Sequence, residues 1–524
     1  MSDSEKGTPV HQVENAPNET QPEVSKTVDV VHHDEALRVL DNYTGDETWT
    51  ADEEKRLRRK IDWRLMPVLC ATYGLQYYDK AMLSQAVCTQ SHPSKLALTN
   101  GVQQQAIFGL REDLDLLVGS RYSWTASIFY LGFIVGAYPA MVLAQRYPVE
   151  RVASGIVVVW GICLILTTTC KTYQGIYIQR FFLGFLESGI SPMFMLIVGS
   201  FYKKNEQAMR MGIWYSCTGY VSVFSPLINY AFGQINGGVS SWRYMYYFSG
   251  ALTILWGVAL FFVLPPDPVR VKGFNERERY LLVARLRTNN SGVRNTHLKV
   301  EQIWELLLDA KFWVVFSISF LSMIANGPIS TFVPIIINGM GFTTLNSLLL
   351  VMPAGAYAGT MQLLFPFLAY KFPGIRSYLV FIAQMGTVLA ALLLWRLPLS
   401  STGALLFACY ILPSVGAGYA VLMGMQIANT AGYTKRSIAS SGMYIGYCLG
   451  NFVGPLVFKK EEAPRYQSGF VVVVVTAIAA GVLALVYRML CMWTNRQRDQ
   501  NGTPEGFDHA YEDDLTDRKI HSII

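Results

Sequence analysis

Apolar residues along this chain gather into runs of about 20, long enough to cross a bilayer as single helices, with polar joints between them. The clearest runs are Tyr122–Ala144, Val152–Cys170, Met245–Leu264 and Phe470–Met489. Twelve such helices are expected, near 64–86, 121–144, 150–170, 174–199, 209–232, 243–264, 312–337, 343–370, 377–396, 402–429, 437–458 and 468–492. The pattern predicts an all-α polytopic membrane protein. Its longest internal polar stretch, Pro265 to Lys311, follows the sixth helix and divides the twelve into two six-helix halves. The expected organisation is a cytoplasmic N-terminal tail (1–60), a first bundle (61–264), a cytoplasmic central loop (265–311), a second bundle (312–493) and a cytoplasmic C-terminal tail (494–524). The first tail is polar, acidic and Pro-containing without an apolar leader-like run, so it reads as largely disordered.

Composition sharpens this. Of 524 residues, 52% are hydrophobic and 15% charged, against about 25% charged in soluble domains. The net charge of +6 does not indicate nucleic acid, because Lys and Arg concentrate on one side of the threaded topology. Lys55–Lys60, Arg146, Arg151, Lys203, Lys204, the central loop, Lys435, Arg436, Arg496 and Arg498 all fall there. The positive-inside rule makes that side, and both termini, cytoplasmic. The cysteines lie in or beside spans, apart from Cys88 just after one, and form no CxxC pair. They read as small buried hydrophobes, and no metal or cofactor is expected.

Charges inside a span are costly and by default functional. Asp79, Lys80, Arg180 and Glu187 are the well-embedded ones, whereas Arg121, Arg243, Lys371 and Arg488 sit near enough to an end to snorkel. All seven histidines lie outside the spans. A membrane proton relay therefore has to use carboxylates, Asp79 and Glu187, and an acyltransferase-like membrane enzyme lacks its catalytic histidine. Arg180 and Glu187 are seven residues apart, on one helix face about 10 Å apart along the axis. Asp79 is placed to pair with Arg180 or Lys80. The embedded set sums to zero with both carboxylates ionised, so one proton leaves a positive cavity able to hold an anion. The bland reading of Arg180 and Glu187 is a static ion pair between helices. Among neutral polar residues, Asn326 in Asn326-Gly327-Pro328 and Gln426 are candidate substrate ligands, and Gln76, Asn229, Gln362, Gln384, Asn429 and Asn451 read as interhelical hydrogen-bond partners. Gly442, Gly446, Gly450 and Gly454 repeat every fourth residue, a close-packing pattern.

At these residues the chain resembles the major facilitator superfamily, and more closely its fungal allantoate permease family of anion:cation symporters. The similar strings run in order from Lys60-Ile-Asp-Trp-Arg-Leu-Met-Pro67 and Tyr78-Asp-Lys80 through Ser123-Trp-Thr-Ala-Ser-Ile-Phe-Tyr130 and Arg180-Phe-Phe-Leu-Gly-Phe-Leu-Glu187. They continue with Gly212-Ile-Trp-Tyr215, Met352-Pro-Ala-Gly355, Asn429-Thr-Ala-Gly-Tyr-Thr-Lys-Arg436 and Asn451-Phe-Val-Gly-Pro455. The resemblance implies the major facilitator fold and anion binding with proton coupling at Asp79, Lys80, Arg180 and Glu187. It also implies small organic anions as substrates: allantoate, ureidosuccinate, nicotinate, other vitamins or peptides. The superfamily's loop signature between helices two and three carries an Asp that Leu143-Ala-Gln-Arg-Tyr-Pro-Val-Glu-Arg151 lacks, leaving Arg146 and Arg151 as gating candidates. The polar run Val87–Gln105 interrupts the similarity and is either a loop insertion or a retained intron. The expected protein is a monomeric proton-coupled importer at the fungal plasma membrane. An exporter of an acidic metabolite and a non-transporting nutrient sensor are the alternatives; Ser225-Pro226, where drug antiporters resemble Gly-Pro, favours import.

Overall fold

The computed structural model describes residues 43–45, 48–85, 110–116, 121–233, 240–265, 267–271, 273–286, 299–326, 337, 344–398, 400–458, 462, 466–501 and 516. The Val87–Gln105 run lies outside them. The elements are α1 (Ala51–Gln85), α2 (Leu110–Asp113), α3 (Arg121–Arg146), α4 (Val149–Leu166), α5 (Tyr173–Glu187), α6 (Ile190–Phe201), α7 (Lys204–Tyr215), α8 (Cys217–Gly233) and α9 (Ser241–Val263). After them come α10 (Glu276–Ala284), α11 (Val300–Leu307), α12 (Ala310–Ile324), α13 (Thr344–Lys371), α14 (Arg376–Arg396), α15 (Thr402–Ile411), α16 (Ser414–Ala428), α17 (Tyr433–Val457) and α18 (Gln467–Asn501).

Each expected span has a helical counterpart. Among the described residues, eight helices or joined helix runs are long and apolar enough to cross a membrane, and α11–α12, bent by 68°, would make a ninth. The other three counterparts are α1, α7–α8 and α17. The first carries a charged N-terminal third, the second breaks at Ser216, and the third holds Lys435, Arg436 and a run of Ser and Gly. Three expected continuous spans are broken: 174–199 at Ser188–Gly189, 209–232 at Ser216 and 402–429 at Leu412–Pro413.

The polar segments contain more helix than the pattern of apolar runs predicts. α1 begins at Ala51, ten residues inside the predicted disordered tail, because Thr50-Ala-Asp-Glu53 is a capping box. Thr50 Oγ1 accepts from Glu53 N at 3.3 Å, and the Glu53 carboxylate accepts from Thr50 N at 3.0 Å. The central loop likewise forms α10, capped by Asn275 and Glu278.

Small residues set the helix packing. A Cβ at Gly132 would lie 2.0 Å from the Phe181 carbonyl oxygen, and one at Gly184 the same distance from that of Phe129, so α3 and α5 touch backbone to backbone. The glycine series of α17 serves α12 in this way: Gly442, Gly446 and Gly450 lie against Phe312, Phe316 and Phe320. Across the two halves, α3 packs on α17, α7 and α8 on α13, and α7 on α16. Gly219 stands against Gly355 and Gly359, and Gly424 against Ala208.

Candidate functional site

Successive helical residues point about 100° apart, and that rotation sends Asp79 and Lys80 to different neighbours. Asp79 is fully buried and accepts a hydrogen bond from Ser249 on α9. Beside this contact Tyr78 donates to Asn229 of α8 at 2.7 Å, and two turns along Trp256 donates to Thr72 at 2.8 Å, which fixes the rotation of α1. Lys80 turns instead toward α3 and α5. Its Nζ lies 3.8 Å from Glu187 Oε2 and over the rings of Phe129 and Phe133 at 5.2 and 5.1 Å. The expected pairing of Asp79 with Lys80 is therefore replaced by Lys80 with Glu187. Asp79 makes no ion pair within 4.0 Å of Arg180 among the described residues; Arg180 donates to Tyr246 Oη on α9 at 2.6 Å.

The break after α5 follows Glu187 directly. Ending the helix there frees the Glu187 backbone carbonyl, which Gln76 Nε2 caps at 3.3 Å. The Glu187 side chain is fully buried, and neither carboxylate oxygen accepts a hydrogen bond from the described residues. Its nearest charge is Lys80, which is 20% exposed where Glu187 is not exposed at all. Arg180 is 2% exposed. Of the two cations, only Lys80 is open to a solute.

The other candidates are not brought to this cluster. Asn326, just past the end of α12, donates to Asn451 of α17 at 2.8 Å. Gln426 is buried at the C-terminal end of α16, donating to Thr430 at 3.4 Å and accepting from Ser440 at 3.3 Å. Arg146 and Arg151 are exposed on either side of the α3–α4 joint. The residue that links the halves there is Gln145, whose Nε2 donates to Thr434 on α17 at 2.9 Å. It occupies the very string that lacks the superfamily Asp, and that departure was the available signal.

A belt of tyrosines was missed. Tyr73 on α1 and Tyr215 on α7 have ring centroids 5.8 Å apart, Tyr215 meets Tyr419 of α16 at 5.5 Å, and Tyr419 meets Tyr447 of α17 at 5.3 Å. The belt joins both halves, and Tyr73 lies two turns before Lys80 on α1. Aromatic residues within a span look like ordinary core, so their convergence is visible only once the helices are assembled.

Two helical bundles that meet along a run of tyrosines, with a buried carboxylate beside a partly buried lysine in the first of them, have the architecture of a membrane transporter built from two halves. The chain belongs to the Major Facilitator Superfamily, whose family model matches residues 106–455. It is 29% identical to the allantoate permease of Saccharomyces cerevisiae over 509 residues, covering 92% of this chain and 88% of the relative. It is 33% identical to the uncharacterized transporter C417.10 of Schizosaccharomyces pombe (89% and 88% covered) and 28% identical to the thiamine pathway transporter THI73 of S. cerevisiae (91% and 90%). Among solved structures, the proton:xylose symporter XylE superposes with a TM-score of 0.61 at 14% identity, covering 83% of this chain and 96% of that one. The human organic anion transporter MFSD10 gives 0.54 at 15%, covering 82% and 99%. At such identities the likeness is one of fold. The protein is thus a multi-pass membrane transporter of a small molecule, and not an enzyme.

Proposed function

We propose that this transporter takes up a small organic anion together with protons across the fungal plasma membrane, as a monomer with both termini in the cytoplasm. The carrying observation is the Lys80–Glu187 pair. With Glu187 ionised, its charge neutralises Lys80 and the cavity offers an anion nothing. A proton on Glu187 releases Lys80, whose ammonium then receives the substrate's carboxylate between Phe129 and Phe133. Anion and proton therefore bind in support of each other, and a monoanion with one proton moves no net charge. Asp79 and Arg180 form the buried wall behind this pair, each anchored to α9.

The likeness to the allantoate permease supports an anionic substrate of the ureide or carboxylate class. The test is uptake of radiolabelled carboxylates and ureides by yeast lacking related permeases, at acidic and neutral pH. Glu187→Gln is expected to abolish the acid stimulation while retaining binding, and Lys80→Ala to abolish uptake with the protein still at the surface. Efflux from loaded cells without acid-stimulated uptake would instead establish export.

A further inference from the structure

α11 presents two opposed arcs. At 100° per residue, Gln302 and Leu306 point one way and are buried against the protein, while Val300, Trp304, Leu307 and Leu308 point the opposite way and are exposed. Trp304 is 65% and Leu308 73% exposed. Three large apolar side chains on one face of an eight-residue helix, continued by Leu308 at its C-cap, are not a water-facing surface.

What covers them follows from what adjoins them. α11 bends by 68° into the membrane-crossing α12, whose first turn exposes Trp313 on the flank of the bundle. Trp313 Nε1 donates to the Leu307 carbonyl at 2.8 Å. The exposed face of α11 is thus continuous with the lipid-facing belt at the level where a span enters the membrane, and indole rings favour that depth. Lys299 and Lys311 bracket the helix as headgroup-level cations.

We propose that α11 is an interfacial helix lying in the leaflet on the central-loop side, with Val300, Trp304, Leu307 and Leu308 seated among the lipid headgroups and upper acyl carbons. That leaflet is the cytoplasmic one under the topology proposed above. The opposite face of α11 holds the start of α17. Gln302 Oε1 accepts from Lys435 N at 3.0 Å, and the buried Lys435 ammonium pairs with Glu305 at 3.0 Å and Asp309 at 3.2 Å. The neighbouring Thr434 is the one bonded to Gln145 of the other half. Lipid anchoring of α11 therefore positions the contact between the halves.

Full-length protein in liposomes tests this with spin labels at Trp304→Cys and Leu308→Cys, and at Asn205→Cys as a water-exposed reference on α7, in a background without reactive cysteines. Oxygen should relax the 304 and 308 labels strongly and a water-soluble nickel chelate several-fold less than at 205. Equal nickel access at all three would place the face in water, and shielding from both reagents would place it against protein; either result overturns the proposal. Trp304→Glu should also speed modification of Ser437→Cys, buried near the start of α17, by a membrane-impermeant thiol reagent, whereas an unchanged rate would refute the link to α17. Neither readout depends on which solute is carried, so a failure of the anion-uptake reading leaves both interpretable.

Discussion

Arg180 shows how a charged residue depends on its surroundings in this protein. It is buried to 2% exposure and its hydrogen-bond partner among the described residues is the Tyr246 hydroxyl, so its positive charge is balanced by the field of nearby Asp79 and Glu187. Removing one charge from such a set leaves the others uncompensated in a low-dielectric interior. Arg180→Ala is accordingly expected to abolish uptake while the protein still reaches the surface, and normal uptake would exclude Arg180 from the site. The identities of the four embedded charges were legible in the sequence because charge within an apolar run is conspicuous. Their pairing was not, since it depends on how far each helix is rotated, and that rotation is set by contacts such as Tyr78 with Asn229, remote in the chain.

Among the elements, α3 and α5 depend on close backbone approach. A methyl at Gly132 or Gly184 would fall within 2.0 Å of a carbonyl oxygen, and overpacking of this kind costs about 1–3 kcal/mol. Gly132→Ala and Gly184→Ala should each lower the thermal midpoint in detergent, whereas Gly155→Ala, with open space around it, should leave it unchanged. Helix existence was read directly from apolar run length. Breaks at Ser188–Gly189 and Ser216 were not, because the residues on both sides are apolar enough to continue the span. The helical start at Ala51 was legible in Thr50-Ala-Asp-Glu53 and lies outside any hydrophobic pattern. Gln426 illustrates the remaining gap: a buried amide in a span reads equally as ligand or local partner, and its bonds to Thr430 and Ser440 are visible only once the helices are assembled.

Across the whole molecule, the central-loop side is closed by contacts between halves and braced by ion pairs. Gln145 with Thr434, Gly424 against Ala208, and Arg376 donating to the Lys204 carbonyl at 3.2 Å join the two bundles. Around them, Glu54 pairs with Lys203 at 2.6 Å, Glu206 with Arg285 at 3.1 Å, and Lys60 with Glu278 at 2.6 Å, tying the start of α1 and α10 to the first bundle. Burial raises the Glu54 and Glu278 carboxyls, but the hydrogen bonds and charges of Lys203 and Arg285 around Glu54, and of Lys60, Arg64 and the Asn275 N–H around Glu278, together outweigh it and hold both below the ordinary glutamate value. A carboxylate depressed by folding contributes stability above its unfolded value and loses it as pH falls through the folded one. The thermal midpoint of the purified transporter should therefore fall between about pH 5 and pH 3. The Lys60→Met variant should show a smaller fall over that interval, and an identical profile would mean that the pair contributes nothing.

The most direct test of the account is accumulation of a labelled carboxylate or ureide in proteoliposomes under an imposed inward proton gradient. The wild-type protein should concentrate solute only with the gradient, Lys80→Ala should do neither that nor exchange, and Glu187→Gln should exchange solute without responding to the gradient. Gradient-driven accumulation by a correctly folded Lys80→Ala or Glu187→Gln protein would contradict the assignment of coupling to this pair.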